Sequence, residues 1–388
     1  MFTVKTYNKI SKKGLDRLDK EKIQVSDSIA EPDAIILRSH PLKEETLAAS
    51  VCAIGRAGAG VNNVQVADCT QKGVVVFNTP GANANAVKEL LLACLLLGAR
   101  NIIEGLEFVK SLDGKGAEIP DLVEKEKARF KGYELRDRTL GVIGLGAIGM
   151  LVANEASELG MKVIGYDPFL SVHNAWRLSR NVKPAESLKQ LLQQSDFVTL
   201  HMPLTDQTRN LINEENIDQF RKGAVLLNFA RDLIVDEDVV LSALDSGKLS
   251  LYLCDFPTEK TVKHSKVWAT PHLGASTDEA EENCAIMVAD QIQDFLLNGN
   301  ITNSVNFPNS SLERSGAVRL TIIHKNIPNM VGQITKVLAD QSINISEMMN
   351  KSRGELAYTI VDLDQALSPD ALAQLSAIEG IIRLRGIT

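Results

Sequence analysis

The sequence lacks a long apolar run, paired cysteines and an excess of positive charge. Its longest apolar stretch, residues 90–99, is far shorter than the ~20 residues that a membrane-spanning helix needs. The amino terminus also lacks the apolar segment of a secretory signal peptide. We therefore expect a cytoplasmic protein that does not associate with a membrane.

The cysteines and the net charge exclude further classes of protein. Five cysteines lie far apart and form no CxxC pair: Cys52, Cys69, Cys94, Cys254 and Cys284. This pattern favours buried free thiols in a reducing compartment over disulfides or a metal site. The net charge of −7 argues against a nucleic acid partner. An anionic substrate must therefore be bound by local positive charge.

The 388 residues are enough for two or three domains. The first hundred residues alternate short β-branched runs with helical or polar segments, and the same alternation resumes after Gly149. This alternation predicts two doubly wound parallel sheets. Between them, the composition predicts one long helical stretch from Ala84 to about Val109.

The end of the chain has a different pattern. After a polar segment at residues 309–316, residues 317–388 contain candidate elements in the order strand, helix, strand, strand, helix, strand. This βαββαβ order is typical of a ferredoxin-like domain. We therefore predict an α/β chain with two doubly wound parallel-sheet domains and a C-terminal ferredoxin-like domain.

The segment "LGVIGLGAIGM" (140–150) predicts a strand, a glycine-rich turn and a helix. Gly144 permits the tight turn, Gly146 lets a pyrophosphate approach the backbone, and Gly149 lets helix and strand pack closely. Asp167 ends the next strand, where its carboxylate would accept hydrogen bonds from ribose hydroxyls and repel the 2′-phosphate of NADP. The pattern predicts an NAD site. The alternatives are a glycine-rich turn without a ligand and a structural turn role for Asp167.

Two histidines are candidates for the base that an NAD-dependent alcohol oxidation needs. His201 and His272 both end strands of the predicted cofactor domain, where ligands bind in such sheets. A long helix follows His272, with Ser276 and Glu279 spaced for a capping box. That helix would return the chain to the first domain, so we expect His272 where the two domains face each other. The alternative is a structural histidine at a strand end.

Six segments, taken in order, show a resemblance to a known family. They are "GRAGAGVNNV" (55–64), "NTPGANANAVKEL" (78–90), "ELRDRTLGVIGLGAIG" (134–149), "LHMPLTDQTRNLI" (200–212), "LLNFARD" (226–232) and "ATPHLGAST" (269–277). Over essentially the whole chain, this combination resembles the D-2-hydroxyacid dehydrogenases and, within them, the D-3-phosphoglycerate dehydrogenases. The motifs around the NAD site alone would fit any member of the larger family.

The resemblance implies a discontinuous domain arrangement. A substrate-binding domain would comprise residues 1–95 and 283–308, with a Rossmann-like NAD-binding domain at 96–282 inserted between them. Residues 317–388 would form an ACT domain, a small regulatory module that binds amino acids. The resemblance also implies a homodimer or homotetramer.

The resemblance implies a catalytic set of three residues. Arg231 would hold the substrate carboxylate and the oxygen being oxidised, a task that suits a planar guanidinium. His272 would take the hydroxyl proton, and Glu259 would accept a hydrogen bond from it and raise its pKa. The sequence departs from the family pattern at Asp232, where Gly is common, and at Lys260, where Pro is usual. The alternative for Arg231 is a surface salt bridge.

The resemblance and the strand ends together give the binding residues. The predicted cofactor contacts are Gly144, Gly146, Ala147, Ile148, Gly149, Asp167, His201, Pro203, Thr208, Ala230, Asp255 and Gly274. The predicted substrate contacts are Arg38, Arg56, Ala57, Gly58 and Asn83. The arginines would bind a phosphate, and the loop backbone would bind a carboxylate. Lys88 is a further candidate for binding the phosphate. The alternative for Arg38, Arg56 and Lys88 is a solvated surface charge.

The implied reaction is NAD-dependent oxidation of D-3-phosphoglycerate to 3-phosphohydroxypyruvate, the first step of L-serine biosynthesis. Two alternatives stay open: a dehydrogenase for another D-2-hydroxyacid, and a non-catalytic NAD-sensing partner protein. The C-terminal domain argues against the first alternative. The trio of Arg231, Glu259 and His272 argues against the second.

The resemblance also implies an effector site in the C-terminal domain. His324, Asn326 and Asn344 match the positions that hold L-serine in serine-inhibited relatives, and asparagine amides can both donate to a carboxylate and accept from an ammonium. Asn329 stands where the family usually has Gly. We expect L-serine to bind where two such domains pair. The alternative is an ACT domain used only for assembly.

Overall fold

The computed structural model describes every residue from Met1 to Thr388. Residues 1–83 form a parallel sheet with two helices. Its strands are β1 (Phe2–Thr6), β2 (Ile23–Ser26), β3 (Ala34–Leu37), β4 (Ala53–Arg56) and β5 (Val75–Phe77), in the order β2-β1-β3-β4-β5, and its helices are α1 (Lys12–Leu15) and α2 (Val66–Gln71). Alternate residues of β3 and β4 join two apolar clusters, one on each face of the sheet. Apolar residues fill these strands because both faces are covered.

Residues 84–277 form a second parallel sheet with helices. The helices are α3 (Ala84–Arg100), α4 (Ile102–Ser111), α5 (Ile119–Glu126), α6 (Ala147–Glu158), α7 (Val172–Ala175), α8 (Leu188–Gln194) and α9 (Glu237–Asp245). The strands are β6 (Thr139–Ile143), β7 (Lys162–Tyr166), β8 (Lys183–Pro184), β9 (Phe197–Leu200), β10 (Ala224–Asn228), β11 (Leu249–Cys254) and β12 (Val267–Ala269). Their order is β12-β11-β10-β9-β6-β7-β8, which reverses direction beside β6. Such a switch point is where doubly wound sheets bind dinucleotides.

The last segment contains one long helix and an antiparallel sheet. The elements are α10 (Asp278–Asn298), β13 (Val318–Lys325), α11 (Met330–Asp340), β14 (Ile345–Arg353), β15 (Leu356–Leu363), α12 (Pro369–Ser376) and β16 (Ile381–Ile387), with strand order β14-β15-β13-β16. The βαββαβ order that the sequence predicts is present. Together with the two parallel sheets, it confirms the predicted fold class. No helix in the structure is both long and apolar enough to cross a bilayer.

The chain divides into two compact units, residues 1–83 with 278–388 and residues 84–277. The boundaries lie where α3 and α10 begin. The predicted boundaries, after residues 95 and 282, fall inside these helices, and the C-terminal sheet packs within the first unit. A helix buries its apolar stripe as one rigid body, so a division at its start leaves that stripe intact.

The helix predicted from Ala84 to about Val109 is two helices. The break lies at Asn101, whose φ of 46° is left-handed, and α4 begins at the next residue. Asparagine tolerates this conformation better than most residues. The apolar spacing on both sides of Asn101 is helical, so the sequence pattern alone did not reveal the break.

Helix α10 lies against the parallel sheet of the first unit. A Cβ added to Gly55 in β4 would overlap Val288, so the close approach of helix and strand depends on this glycine. Val288, Ile292 and Phe295 of α10 are fully buried in the same cluster as residues of β3, β4 and β5. The helix is therefore a core element of the first unit.

The C-terminal end of α10 is bound by side chains of the antiparallel sheet. Arg319 Nη1 donates to the carbonyl of Asn298 (2.9 Å), and the Tyr358 hydroxyl donates to the carbonyl of Gly299 (2.6 Å). Arg385 donates to two carbonyls in the last turn of the helix (3.4 and 3.1 Å). The last carbonyls of a helix have no partner within the helix and carry a partial negative charge. The guanidinium groups of Arg319 and Arg385 donate hydrogen bonds to these carbonyls.

A wholly buried ion pair holds Arg319 in this position. Its Nε and Nη2 bind the two carboxylate oxygens of Asp362 (2.6 and 2.8 Å), and both side chains are 0% exposed. The Ser315 amide also donates to Asp362 (2.8 Å). Desolvation alone would raise the pKa of Asp362, but these hydrogen bonds outweigh it, and the pKa lies below its ordinary value. The ion pair therefore connects Ser315, which precedes β13, with the antiparallel sheet and with the carboxyl-terminal end of α10.

We predict that Asp362→Asn lowers the free energy of unfolding by about 3–5 kcal/mol, because it leaves a buried guanidinium without its counter-charge. The lowered pKa means that the carboxylate stabilises the fold above its unfolded-state pKa and less as the pH falls through its folded-state pKa. The difference from the wild type, measured by urea denaturation, should therefore shrink at acidic pH. The control is Asp340→Asn, which breaks an exposed pair with Lys336. Equal losses in the two variants would contradict the prediction.

Candidate active site

The predicted site residues fall in both units. In the second unit, β6 leads through the glycine-rich turn into α6. A Cβ on Gly144 (φ 87°) would overlap the carbonyl of His201, and one on Gly149 would overlap the carbonyl of Gly144. A Cβ on Gly146 would meet no atom within 4 Å, so the surface there is open. Two glycines are required for packing, and the third leaves room for a ligand.

The first turn of α6 is free to bind an anion. Gly146 is its N-cap and offers no side chain to the amides of the first turn, which includes Ala147 and Ile148. Unpaired amides and the helix dipole make such an end a phosphate site. The open surface over Gly146 and these donors fit the pyrophosphate of NAD.

Asp167 follows β7 and binds two backbone amides. Its Oδ2 accepts from Leu145 and its Oδ1 accepts from Phe169, both at 2.8 Å. The carboxylate thus has the structural turn role that the sequence left open. Each oxygen keeps a lone pair, because a carboxylate has about four acceptor sites, so ribose hydroxyls can still bind.

The loop after β9 is closed by Thr208, whose hydroxyl donates to the carbonyl of Pro203 (2.6 Å). His201 precedes this loop, and its Nε2 lies 2.9 Å from the Thr199 hydroxyl, while its Nδ1 is buried without a partner. Burial lowers the pKa of His201 to about 3. A group with so low a pKa is a weak base at neutral pH. His201 is therefore the poorer candidate for the base.

A buried asparagine holds the turn that carries Arg231. Asn228 ends β10 and is fully buried; its Nδ2 donates to the carbonyl of Arg231 (2.8 Å) and its Oδ1 accepts from the amide of Ala230 (3.2 Å). Arg231 Nη1 donates to the carbonyl of Ala230 (2.6 Å), and no carboxylate pairs with the guanidinium. The surface salt bridge is thus not formed. Asn228 was not predicted, although a polar residue closing an apolar strand was a usable signal.

His272 lies in a loop that a buried carboxylate holds in place. Its φ is 56°, a left-handed conformation that costs energy for a residue other than glycine. Asp255, 1% exposed, accepts from the Thr270 hydroxyl (2.6 Å) and from the amides of Leu273 (2.7 Å) and Gly274 (2.8 Å). Both of its oxygens therefore serve the loop around His272. The sequence predicted Asp255 and Gly274 as cofactor contacts and did not reveal this role.

Two contacts predicted near His272 take other partners. Glu259 is 86% exposed and pairs with Lys263 (2.6 Å), which ends a short 3₁₀ turn four residues later. The His272 ring packs against the Phe256 ring in a T-shaped arrangement, with 5.0 Å between the ring centroids. The hydrogen bond expected between Glu259 and His272 is not formed. Helix α10 begins at Asp278, so Ser276 is not its N-cap, and the Ser276 hydroxyl donates to the carbonyl of His272 (3.4 Å).

In the first unit, the two predicted phosphate ligands are neighbours at strand ends. Arg38 follows β3, and Arg56 ends the adjacent β4. Arg56 Nε donates to the carbonyl of Arg38 (3.1 Å), and the Arg38 guanidinium pairs with Glu281 on α10. The structure therefore brings these two cations together and adds a carboxylate that the sequence did not predict.

The loop after Arg56 has its free backbone donors at its end, after Ala57 and Gly58. The amide of Ala57 continues the pairing with β3, and the amide of Gly58 donates to the carbonyl of Arg56, both at 2.8 Å. These two amides are already satisfied. The amides of Ala59 and Gly60 donate no hydrogen bond within the chain and remain available to an anion.

Asn83 and Lys88 have different surroundings. The side-chain oxygen of Asn83 is buried without a hydrogen-bond partner. Lys88 is only 13% exposed and lies 3.9 Å from Glu155 of α6. Lys88 is therefore not a solvated surface charge, which was the alternative prediction for it.

The three predicted effector residues lie in the antiparallel-sheet domain. His324 is buried and both its nitrogens have partners, the Thr359 hydroxyl (2.9 Å) and the carbonyl of Lys325 (2.8 Å). Asn326 and Asn344 are exposed. Asn329 has a φ of 64°, a conformation that glycine favours and asparagine tolerates, and α11 begins at the next residue. Asn329, which stands where the family usually has Gly, therefore keeps the left-handed backbone conformation that glycine would adopt.

Comparisons with known proteins agree with this architecture. Residues 92–275 match the family described as D-isomer specific 2-hydroxyacid dehydrogenase, NAD binding domain. The NAD⁺-bound 3-phosphoglycerate dehydrogenase of Entamoeba histolytica is 28% identical, with a TM-score of 0.60 over 80% of this chain and 99% of that one. The D-mandelate dehydrogenase of Rhodotorula graminis, 23% identical with a TM-score of 0.66 over 79% of this chain and 99% of that one, shares the fold. NAD as the cofactor is confirmed.

Relatives of known name cover most of the chain. The D-3-phosphoglycerate dehydrogenase of Methanocaldococcus jannaschii is 35% identical over 376 residues, which are 93% of this chain and 68% of that protein. The D-3-phosphoglycerate dehydrogenase of Haemophilus influenzae is 33% identical over 377 residues, 93% of this chain and 88% of that protein. The chain therefore belongs to the D-3-phosphoglycerate dehydrogenase family of D-isomer-specific 2-hydroxyacid dehydrogenases.

Proposed function

We propose that this chain oxidises D-3-phosphoglycerate to 3-phosphohydroxypyruvate with NAD, as the first step of L-serine biosynthesis. One observation carries the proposal: Arg231 and His272 lie in the turns after β10 and β12, and a buried polar side chain holds each turn in place. Asn228 holds the first turn, and Asp255 holds the second. Fixed orientation of the reacting groups is what such a reaction needs.

The residues of the second unit would divide the chemistry between them. The Arg231 guanidinium binds the substrate carboxylate and the hydroxyl oxygen, because its planar donors suit two acceptors at once. His272 takes the hydroxyl proton on its imidazole. NAD, when bound, accepts the hydride. Asp255 keeps the His272 loop in its left-handed conformation, which stops the imidazole from turning away.

The residues of the first unit would supply the substrate preference. Arg38 and Arg56 are adjacent cations that can bind a phosphate by charge-assisted hydrogen bonds. The free amides of Ala59 and Gly60 can bind a carboxylate. This pair of cations favours a phosphorylated hydroxyacid over the alternative substrates, and the positioned His272 favours an enzyme over an NAD-sensing partner.

The substrate preference can be tested by following NADH formation from D-3-phosphoglycerate, D-glycerate and D-lactate. We expect the highest kcat/KM for the phosphorylated acid. Arg38→Met should lower that value by about 10- to 100-fold, the usual worth of a hydrogen bond to a charged group, and leave D-glycerate unchanged. Arg17→Met, which removes an exposed arginine paired with Asp290, is the control. Equal kcat/KM values for all three acids would reject the proposed substrate.

The role of the base can be tested with His272→Asn. We expect kcat to fall by about 10²- to 10⁴-fold, as for the loss of a general base, while NAD binding measured by fluorescence titration persists. His264→Asn removes a histidine that pairs with Asp245 and should have no such effect. Near-normal turnover in His272→Asn would remove this residue from the mechanism.

We propose further that the C-terminal domain binds L-serine where two copies of the chain pair, in a homodimer or homotetramer in the cytoplasm. Asn326 and Asn344 support this, because both are exposed and their amides can bind an amino acid. His324 would first have to exchange its hydrogen bonds to Thr359 and Lys325. The five buried free cysteines are consistent with a reducing compartment.

Feedback inhibition can be tested by titrating L-serine against the wild type and Asn344→Ala. We expect inhibition of the wild type at millimolar serine and an increase of about tenfold in the half-inhibitory concentration of the variant, as for one lost hydrogen bond. Gln374→Ala, on the exposed surface of α12, is the control. An uninhibited wild type, or equal inhibition of all three proteins, would favour a domain used only for assembly.

A further inference from the structure

The Arg38 guanidinium is held by a carboxylate where the proposed function requires it to bind phosphate. Its Nη1 pairs with an oxygen of Glu281, and both residues belong to the first unit. The side chains are 33% and 42% exposed, so a ligand can reach the pair from solvent. A substrate phosphate and Glu281 would therefore compete for the same cation.

The fold explains why Glu281 lies there. Helix α10 packs against β3, β4 and β5, and Glu281 is in its first turn. The helix dipole favours carboxylates in this turn. Arg38 follows β3 directly, so the amino-terminal turn of the helix and the carboxyl end of the strand meet at this pair. Both partners are carried by regular elements of the core.

A second arginine and further carboxylates lie near the pair, since Asp278 and Glu279 share the first turn of α10 with Glu281. Arg56 binds the carbonyl of Arg38, which brings a second guanidinium to the cluster. Cys284, one turn after Glu281 on α10, is buried, and desolvation by burial raises the pKa of its thiol. The thiol is therefore neutral, and Glu281 offsets one of the two positive charges. A phosphate ester carries about −1.5 to −2 at neutral pH and needs both cations.

We propose that Glu281 is a specificity-determining residue, which holds Arg38 while no phosphate is bound and releases it when a phosphorylated substrate binds. The proposal rests on the proposed function. Breaking the pair opposes phosphate binding, so the Glu281 charge weakens the affinity for a phosphorylated acid. An unphosphorylated acid does not need Arg38 and is unaffected.

The adjacent residue provides a matched control. Glu282 lies in the same helix, carries the same charge and pairs with a cation of the same unit, Lys13, at 2.7 Å. Lys13 is not among the predicted substrate ligands. Comparing the two positions therefore separates the loss of a carboxylate near Arg38 from the loss of a carboxylate on α10.

The test is Glu281→Gln, which keeps the length of the side chain and removes its charge. We expect the KM for D-3-phosphoglycerate to fall by about two- to fivefold, in line with the modest worth of an exposed ion pair. The kcat/KM for D-glycerate should not change. The Kd for inorganic phosphate, measured by calorimetry on the full chain, should fall by a similar factor. Glu282→Gln should change none of these quantities.

Three results would overturn the inference. The first is a KM for D-3-phosphoglycerate and a Kd for phosphate that are unchanged or higher in Glu281→Gln. The second is an equal change for the phosphorylated and unphosphorylated acids, which would indicate a purely structural role. The third is the same effect in Glu282→Gln. If the wild type oxidised no D-3-phosphoglycerate, the proposed function would fail, and the Kd for phosphate would still decide whether Glu281 competes for Arg38.

Discussion

The first unit depends on the way α10 is held at both ends by charge. Its amino-terminal turn offers carboxylates to cations of the parallel sheet, as in the pair of Glu281 with Arg38. Its carboxyl-terminal carbonyls bind Arg319 and Arg385 of the antiparallel sheet. Both arrangements follow the helix dipole. Because Gly55 lets the middle of the helix approach β4, one element joins the parallel sheet of the first unit to the C-terminal domain.

The same physical device recurs at the strand ends of the second unit. Asn228 and Asp255 are buried polar side chains that form hydrogen bonds with the backbone of the turns carrying Arg231 and His272. A buried polar group must be paired, so the turn has one favoured geometry. Arg231 and His272 are thereby presented in fixed positions, and the left-handed backbone of His272 is maintained.

Burial also distinguishes the two candidate histidines. Both follow strands of one sheet, yet the pKa of His201 falls to about 3 because its ring is desolvated without a charged partner. His272 is exposed and lies in the loop that Asp255 holds. The exposure of His272 and the low basicity of His201 agree with the roles that the family pattern gives them.

The sequence by itself determined the fold class, the glycine-rich turn of the NAD-binding domain and the position of His272 after a strand. These features are local, because glycine spacing and apolar periodicity record what the backbone needs within a few residues. Only the tertiary structure decided the partners: Asp255 for the His272 loop and Glu281 for Arg38. A side chain bonds to the group that the packing brings nearest, and that group often lies on another element. The sequence pattern within one element carries no record of such a neighbour.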